Sequence, residues 1–372
     1  MLVGSLYVSL GGLGVATVVG RRESRQAGES AVRERFSKTI DAGGSTLAVS
    51  ATGQRWAFGV SGGDVLLVDA NGDVTERTTP YDDSVSHLLL RESNGAMVGG
   101  WVTANAITGI GSDGSIVWEY DLPGLWDLDG SADLSSVACV TYPVEGVGSI
   151  ALVSDGDESW RTRLDDAAAE CVAIAESGEH IAVGCRGYMV GPADEAGIPG
   201  IQLYTKDGTH VWTYETDAEV VDIGITERKE RIVAVTADGE LLVVDYAGER
   251  HWWLPDSHGV QLSPDGGSVV VIDSSALTVY SIGGERRWKR EHTFDSPLPF
   301  PPMISEHGER VLFWDAPERT LQVITETGTL WETSSEAELV LGSLSRDGSA
   351  WGVMEDLPDE DTLTLSGYTA DT

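Results

Sequence analysis

A glycine followed four residues later by a tryptophan recurs about every forty residues, and no other feature limits the architecture of this chain so tightly. The pairs are Gly114 and Trp118, Gly156 and Trp160, Gly208 and Trp212, Gly248 and Trp252, and Gly284 and Trp288, with Trp331 three residues past Gly328. Each glycine closes a turn: Asn71-Gly72, Asp113-Gly114, Asp155-Gly156, Asp207-Gly208, Ala247-Gly248, Gly283-Gly284 and Thr327-Gly328. Asn-Gly and Asp-Gly are strong hairpin signals because both central positions of a type I′ turn need positive φ. Around each turn lie short apolar strands, as in CVAIAESGEH, IAVGCRGY, GIQLYTKDG and THVWTYETD from residue 171 onward. Four strands per unit, repeated, predict an all-β propeller of four-stranded antiparallel blades. A tryptophan at one offset on every outer strand reads as a packing device that docks a blade on its neighbour. Trp118, Trp160, Trp212, Trp252, Trp288 and Trp331 are assigned that structural role.

Seven complete units fall at about 44–80, 84–122, 125–166, 169–217, 219–257, 258–294 and 302–336. An eighth begins at residue 339 and supplies three strands by 372, and residues 29–41 follow Gly28 as the other outer strands follow their glycines. A blade shared between the chain ends would pair edges that an open sheet exposes. The expectation is one propeller domain over 28–372 with eight blades, the last being 339–372 completed by 29–41. Seven blades with one degenerate unit is the alternative.

The turns and tryptophans in LYTKDGTHVW, IGSDGSIVW and LVSDGDESW resemble the tryptophan-docking pattern of the quinoprotein-like propeller family, the one with PQQ-like repeats. The resemblance runs from about residue 28 to the C-terminus and implies architecture rather than activity. That family holds quinone-dependent dehydrogenases, assembly scaffolds and sensors. Its enzymes carry an adjacent disulfide pair over the cofactor, whereas Cys139, Cys171 and Cys185 stand singly, so the resemblance points to the non-enzymatic branch. No cofactor and no catalytic or metal-binding residue is assigned. The seven histidines lack metal-ligand spacing, and the acidic run from Glu355 to Asp361 does not match a calcium ladder.

Charge excludes one class of partner. With 60 Asp and Glu against 24 Lys and Arg the formal net charge is -36, which repels nucleic acid. An acidic, lysine-poor surface on a chain with 12 Trp and 45 Gly is not that of a disordered acidic polymer; it resembles proteins of halophilic archaea. At molar salt the Debye length is roughly 3 Å, so self-repulsion is quenched.

Residues 1–22 form an apolar N-terminal segment. Residues 2–20 are uncharged and precede Arg21 and Arg22, which suits a membrane anchor with the propeller on the cytoplasmic side. The run also reads as a strand, since SLYVSLGG matches LTVYSIGG further on and four glycines weaken a helix. Both readings stay open, with a cytoplasmic location in either.

Loop length places the expected binding surface. Loops joining a blade's second and third strands, or one blade to the next, emerge on one face of a propeller, and every long excursion here falls there: 141–148, 186–200, 292–302 and 355–362. Loops on a rigid scaffold carry function. Tyr142, Arg186, Tyr188, Met189, Phe294 and Phe300 are the interface-favouring residues within or at the start of these loops. The leading expectation is a scaffold or sensor that binds another protein through this face. The alternative is an enzyme, or a carbohydrate- or small-ligand-binding protein, that uses the central channel.

Overall fold

The computed structural model describes residues 32–370 together with Val15 and Ala16, except 41, 92–95, 143–147, 165–166, 188–196, 258, 292–300, 316–317, 338 and 358–361. The described strands form eight antiparallel sheets, and the chain is an eight-bladed β-propeller. Blade 1 is Gly44–Val49, Arg55–Val60, Val65–Asp69 and Val74–Thr78. Blade 2 runs from His87–Leu90 to Ile116–Asp121, blade 3 from Leu125–Gly130 to Asp157–Leu164, and blade 4 from Ala168–Ile174 to His210–Glu215. Blade 5 runs from Val220–Thr226 to Arg250–Leu254, blade 6 from Gly259–Leu262 to Arg286–Glu291, and blade 7 from Met303–Ile304 to Gly328–Ser334.

Blade 8 is the shared one. Leu339–Leu344, Ala350–Leu357 and Thr362–Ala370 come from the C-terminal end, and Val32–Ile40 pairs antiparallel with the last of them, Val32 opposite Ala370 and Ile40 opposite Leu363. A short fifth strand comes from the N-terminal segment: Val15–Ala16 pairs with Thr39 and Ile40 on the outer edge. The rest of residues 2–20 lies outside the described residues, among which no helix is long and apolar enough to cross a membrane.

Sequence pattern explains the layering. Middle strands such as Arg231–Thr236 and Leu241–Asp245 are continuous valine-, isoleucine- and leucine-rich runs, buried on both faces because a blade packs against a neighbour on each side. Outer strands such as His210–Glu215 alternate with solvent. The apolar layers lie between blades: Ile150 and Leu152 of blade 3 meet Ile181 and Val183 of blade 4. At the closure, Trp56 and Phe58 of blade 1 meet Phe36, Met354 and Leu365 of blade 8 in the same manner. Cys139, Cys171 and Cys185 are free thiols within these layers.

The outer tryptophans form a belt. Trp160 Nε1 donates to the Lys206 carbonyl at 2.7 Å, Trp212 to Tyr246 at 2.8 Å and Trp252 to Ile282 at 2.8 Å, each in the hairpin turn of the following blade. The marker glycine of that turn lies under the indole; a Cβ on Gly208 would sit 2.9 Å from Trp160. Trp118 covers Gly156 in the same way. Trp288 departs from this pattern and caps the Gly308 carbonyl at 2.9 Å, in a turn between the first and second strands of blade 7. Trp331 enters blade 8 and packs on Tyr368 and Trp351 at ring separations of 4.6 and 5.5 Å.

Two blades use other residues. Phe36 of blade 8 lies over Gly72, where a Cβ would come within 2.2 Å of it, and Glu76 and Thr78 of blade 1 take the position over Gly114. The turns also differ from expectation. Only Asp155-Gly156 has positive φ at both central residues, 49° and 89°. At Gly72, Gly114, Gly208, Gly248 and Gly284 the glycine alone is left-handed and a β-bulge follows, which swings the next residues onto the neighbouring blade.

Candidate functional site at the channel mouth

First strands of the blades surround the propeller axis, and those of blades 1, 3, 4 and 5 slip register near their start. The slips fall between Gly44 and Thr46, Leu125 and Asp127, Ala169 and Cys171, and Val220 and Asp222. The extra residues are Ser45, Trp126, Glu170 and Val221. A bulge leaves its extra residue out of the ladder and re-aims the side chain. Three consecutive blades thus present Trp126, Glu170 and Val221 where the chain enters from the long-loop face.

Trp126 and Val221 are 38 % and 44 % exposed. Trp126 lies 5.3 Å from the Tyr142 ring at a 47° tilt. Arg186, at the end of the second strand of blade 4, sets its guanidinium 5.3 Å from the Tyr142 ring centre and pairs with Glu170 at 3.3 Å. Burial raises the Glu170 pKa although Arg186 opposes the shift. Of the six residues expected at an interface, the structure brings Tyr142 and Arg186 together; Tyr188, Met189, Phe294 and Phe300 lie outside the described residues. Trp126 was not anticipated. Its one sequence signal is an indole in a strand, LWDLDG, that otherwise faces the axis with small or acidic residues.

Below this patch is a cavity of about 370 Å³ lined by Asp127, Asp129, Glu176, Asp222, Thr226 and Gln261 among others. Two of its carboxylates join blades 3 and 4. Asp127 accepts from Leu128 N and, across the blade gap, from Val172 N, both at 2.9 Å, while Asp129 accepts from Gly130 N at 2.8 Å and Ile174 N at 2.9 Å. They take up donors that the inner edge of a sheet leaves unpaired. His87 Nε2 of blade 2 stands 3.2 Å from Asp127. Burial pushes Asp129 up to about 6 against the pull of its backbone donors.

Asp222 occupies in blade 5 the position of Asp127 in blade 3, and it accepts from Ile223 N at 2.8 Å. Solvent reaches its side chain, but protein surrounds the channel on every side and hydrates the carboxylate poorly. Burial raises it to about 7, the Ile223 hydrogen bond works against this, and the charge of Asp127 adds to it.

An ion pair crosses the other end of the channel. Arg346, in the turn after the first strand of blade 8, is 3.0 Å from Glu306 of blade 7 and 3.6 Å from Glu176 of blade 4, on the far side of an eight-membered ring. The cavity runs along the first strands down to Ser263, Pro264 and Gly266 of the short-turn face, where this ion pair crosses the channel. Among the described residues no three His, Cys, Asp or Glu side chains gather as metal ligands.

No family model matches the chain, and no curated protein matches it in sequence. Solved structures do match. BamB from Moraxella catarrhalis is 12 % identical, with a TM-score of 0.59 over 92 % of this chain and 99 % of that one. The C-terminal WD40 domain of Sif2 is 10 % identical with a TM-score of 0.69 over 92 % and 99 %. The Dos1 propeller is 12 % identical with a TM-score of 0.63 over 88 % and 92 %. At such identities the likeness is one of fold.

Proposed function

We propose that this protein is a non-enzymatic scaffold or sensor that holds another protein against its long-loop face, with Trp126, Tyr142 and Arg186 as the anchoring patch. One observation carries the reading. Two large aromatic rings are held in contact with each other and with a partly buried guanidinium at the ends of rigid strands, and the rings are left open to solvent. Preorganised Trp, Tyr and Arg side chains dominate binding energy at protein interfaces because little entropy is lost when they are covered. The test is capture of the tagged protein from its own cells, crosslinked in molar KCl, followed by mass spectrometry. A stoichiometric partner is expected, and it should be lost from the Trp126→Ala, Tyr142→Ala double variant. A partner that stays bound to the double variant would move the interface elsewhere.

A second reading rests on Asp222, whose carboxylate faces the cavity with a pKa of about 7. A small ligand or carbohydrate in the channel, bound or acted upon, would use that group. Capture of a clean monomer, with ligand binding abolished by Asp222→Asn, would favour it.

The acidic surface belongs with a cytoplasm rich in salt, where the propeller is either free or held at the membrane by residues 2–20. Cell fractionation tests the anchor: recovery wholly in the soluble fraction would remove it.

A further inference from the structure

The outer strand of blade 6, Arg286–Glu291, reads Arg-Arg-Trp-Lys-Arg-Glu. Four of the 24 Lys and Arg residues thus stand in one strand of a protein whose formal net charge is -36. Arg286, Arg287 and Lys289 are exposed and Arg290 is half-buried. Arg287 is committed to the fold, donating to the His307 carbonyl at 2.5 Å and to Gly267 at 3.1 Å. Lys289 pairs at 3.1 Å with Glu291, which is 83 % exposed, so the pair is a weak surface one. The side chains of Arg286 and Arg290 have no hydrogen bond or ion pair among the described residues.

Blade 8 offers a contrast. Its outer strand also carries cations, yet Arg35 donates to Thr369 Oγ1 at 2.8 Å, Lys38 faces Asp73 at 3.9 Å, and Val15–Ala16 pairs with the edge at Thr39 and Ile40. The Arg286–Glu291 strand is the last of its sheet, so one row of its backbone donors and acceptors is free as well.

We infer that the outer edge of blade 6 is a docking strand for a carboxylate-rich, extended segment of a partner protein. The segment adds as a fifth strand, with its acids against Arg286 and Arg290. Main-chain pairing supplies affinity in such additions and alternate side chains supply selectivity. Three of the four cations are arginines, whose planar fork fits a carboxylate with two hydrogen bonds. Flanking acids limit the shape of the occupant. Glu285 precedes the strand, and Glu309 and Glu326 line the neighbouring cavity beside Arg287 and Arg310. A flat anionic surface would meet these acids; a single strand passes between them. Repulsion from the rest of the molecule is short-ranged, since the Debye length is roughly 3 Å at molar salt.

The experiment is fluorescence anisotropy of a labelled peptide of alternating Glu and Thr, titrated with the full chain. It is run over a KCl series that starts at the lowest concentration at which circular dichroism shows the protein folded. Saturable binding is expected; it should weaken with salt, fall about tenfold in R286E/R290E, and be absent for the Gln-Thr peptide. R286Q/R290Q should lie between, and both variants should melt with the parent because neither arginine has a partner to lose. Absence of acidic-peptide binding, equal binding of the neutral peptide, or indifference to charge reversal would each overturn the proposal. Arginine-dependent binding to phosphatidylserine vesicles without peptide binding would overturn it in favour of a lipid surface.

Discussion

Trp160 and Trp126 belong to the same blade and have opposite employment. Trp160, on the outer strand, covers Gly208 and donates to the Lys206 carbonyl of the next blade. Trp126, on the first strand, is pushed from its ladder by a bulge, tilts against Tyr142, hydrogen-bonds Glu170 and stays 38 % exposed. In the belt, Trp160, Trp212, Trp252 and Trp288 satisfy their indoles with carbonyls the fold must supply anyway, so they are part of what keeps neighbouring blades in register. The mouth leaves large apolar and ionic groups half-served, which raises the cost of the free state and leaves something for a partner to complete. Substitutions in the belt should therefore change stability, and those in the mouth should change binding and proton uptake.

The largest effect is expected from Trp331→Ala. The side chain is 2 % exposed and packs on Trp351 and Tyr368 where blade 7 meets the closing blade. Its loss should lower the unfolding free energy by about 3–5 kcal/mol in denaturant titrations. Near-parental stability would break the assignment of the belt to ring closure. Next is Gly72→Ala: φ is +82° and the new Cβ would collide with Phe36, so a loss of about 1–3 kcal/mol is expected by the same measurement. Trp160→Phe keeps most of the area and removes the hydrogen bond to Lys206, for about 1 kcal/mol.

Asp222→Asn addresses the mouth and should appear only as a pH dependence. The folded state holds a proton up to about 7, whereas the unfolded chain releases it near the ordinary value of 3.8. Between those limits the folded form binds more protons, and stability falls as pH rises. Asparagine cannot lose the proton, so the variant should melt a few degrees above the parent at pH above about 7 and together with it below the ordinary carboxylate range. Equal melting throughout would show Asp222 to be well hydrated. Smallest is Trp126→Ala, with a change within about 0.5 kcal/mol despite the size of the side chain. A large destabilisation would erase the distinction between the two tryptophans.

That distinction also governs what could be read from sequence. The belt is written locally: a glycine and a tryptophan four residues apart mark most blades, and the remaining marker glycines and strand runs led to eight blades with a shared closing blade, seven being the alternative. Where the belt uses Phe36, Glu76 and Thr78 instead of tryptophan, the pattern falls silent although the position is occupied. The mouth is not local. Asp127 means little until its oxygen is found on the amide of Val172, 45 residues away, and Asp222 acquires its proton affinity from surrounding blades. The bulges that turn Trp126 and Glu170 outward have no marker like the hairpin glycine. The loop argument reached Tyr142 and Arg186 because they stand beside long excursions, and it missed Trp126, which stands in a strand.

The shared blade has a consequence for synthesis. Arg35 and Thr369, hydrogen-bonded in the finished sheet, are 334 residues apart. A ribosome that adds about 5–20 residues per second needs on the order of tens of seconds to make the second after the first. During that interval the strand Val32–Ile40 is a single ribbon with no sheet to join, one end of a clasp whose catch has yet to be made. Its alternation of Arg33, Arg35 and Lys38 with Val32 and Phe36 suits the wait, because charges on a lone strand discourage pairing with a neighbouring nascent chain. The nascent protein would thus be most vulnerable just before Thr362–Ala370 is made, with seven blades built and the ring still open.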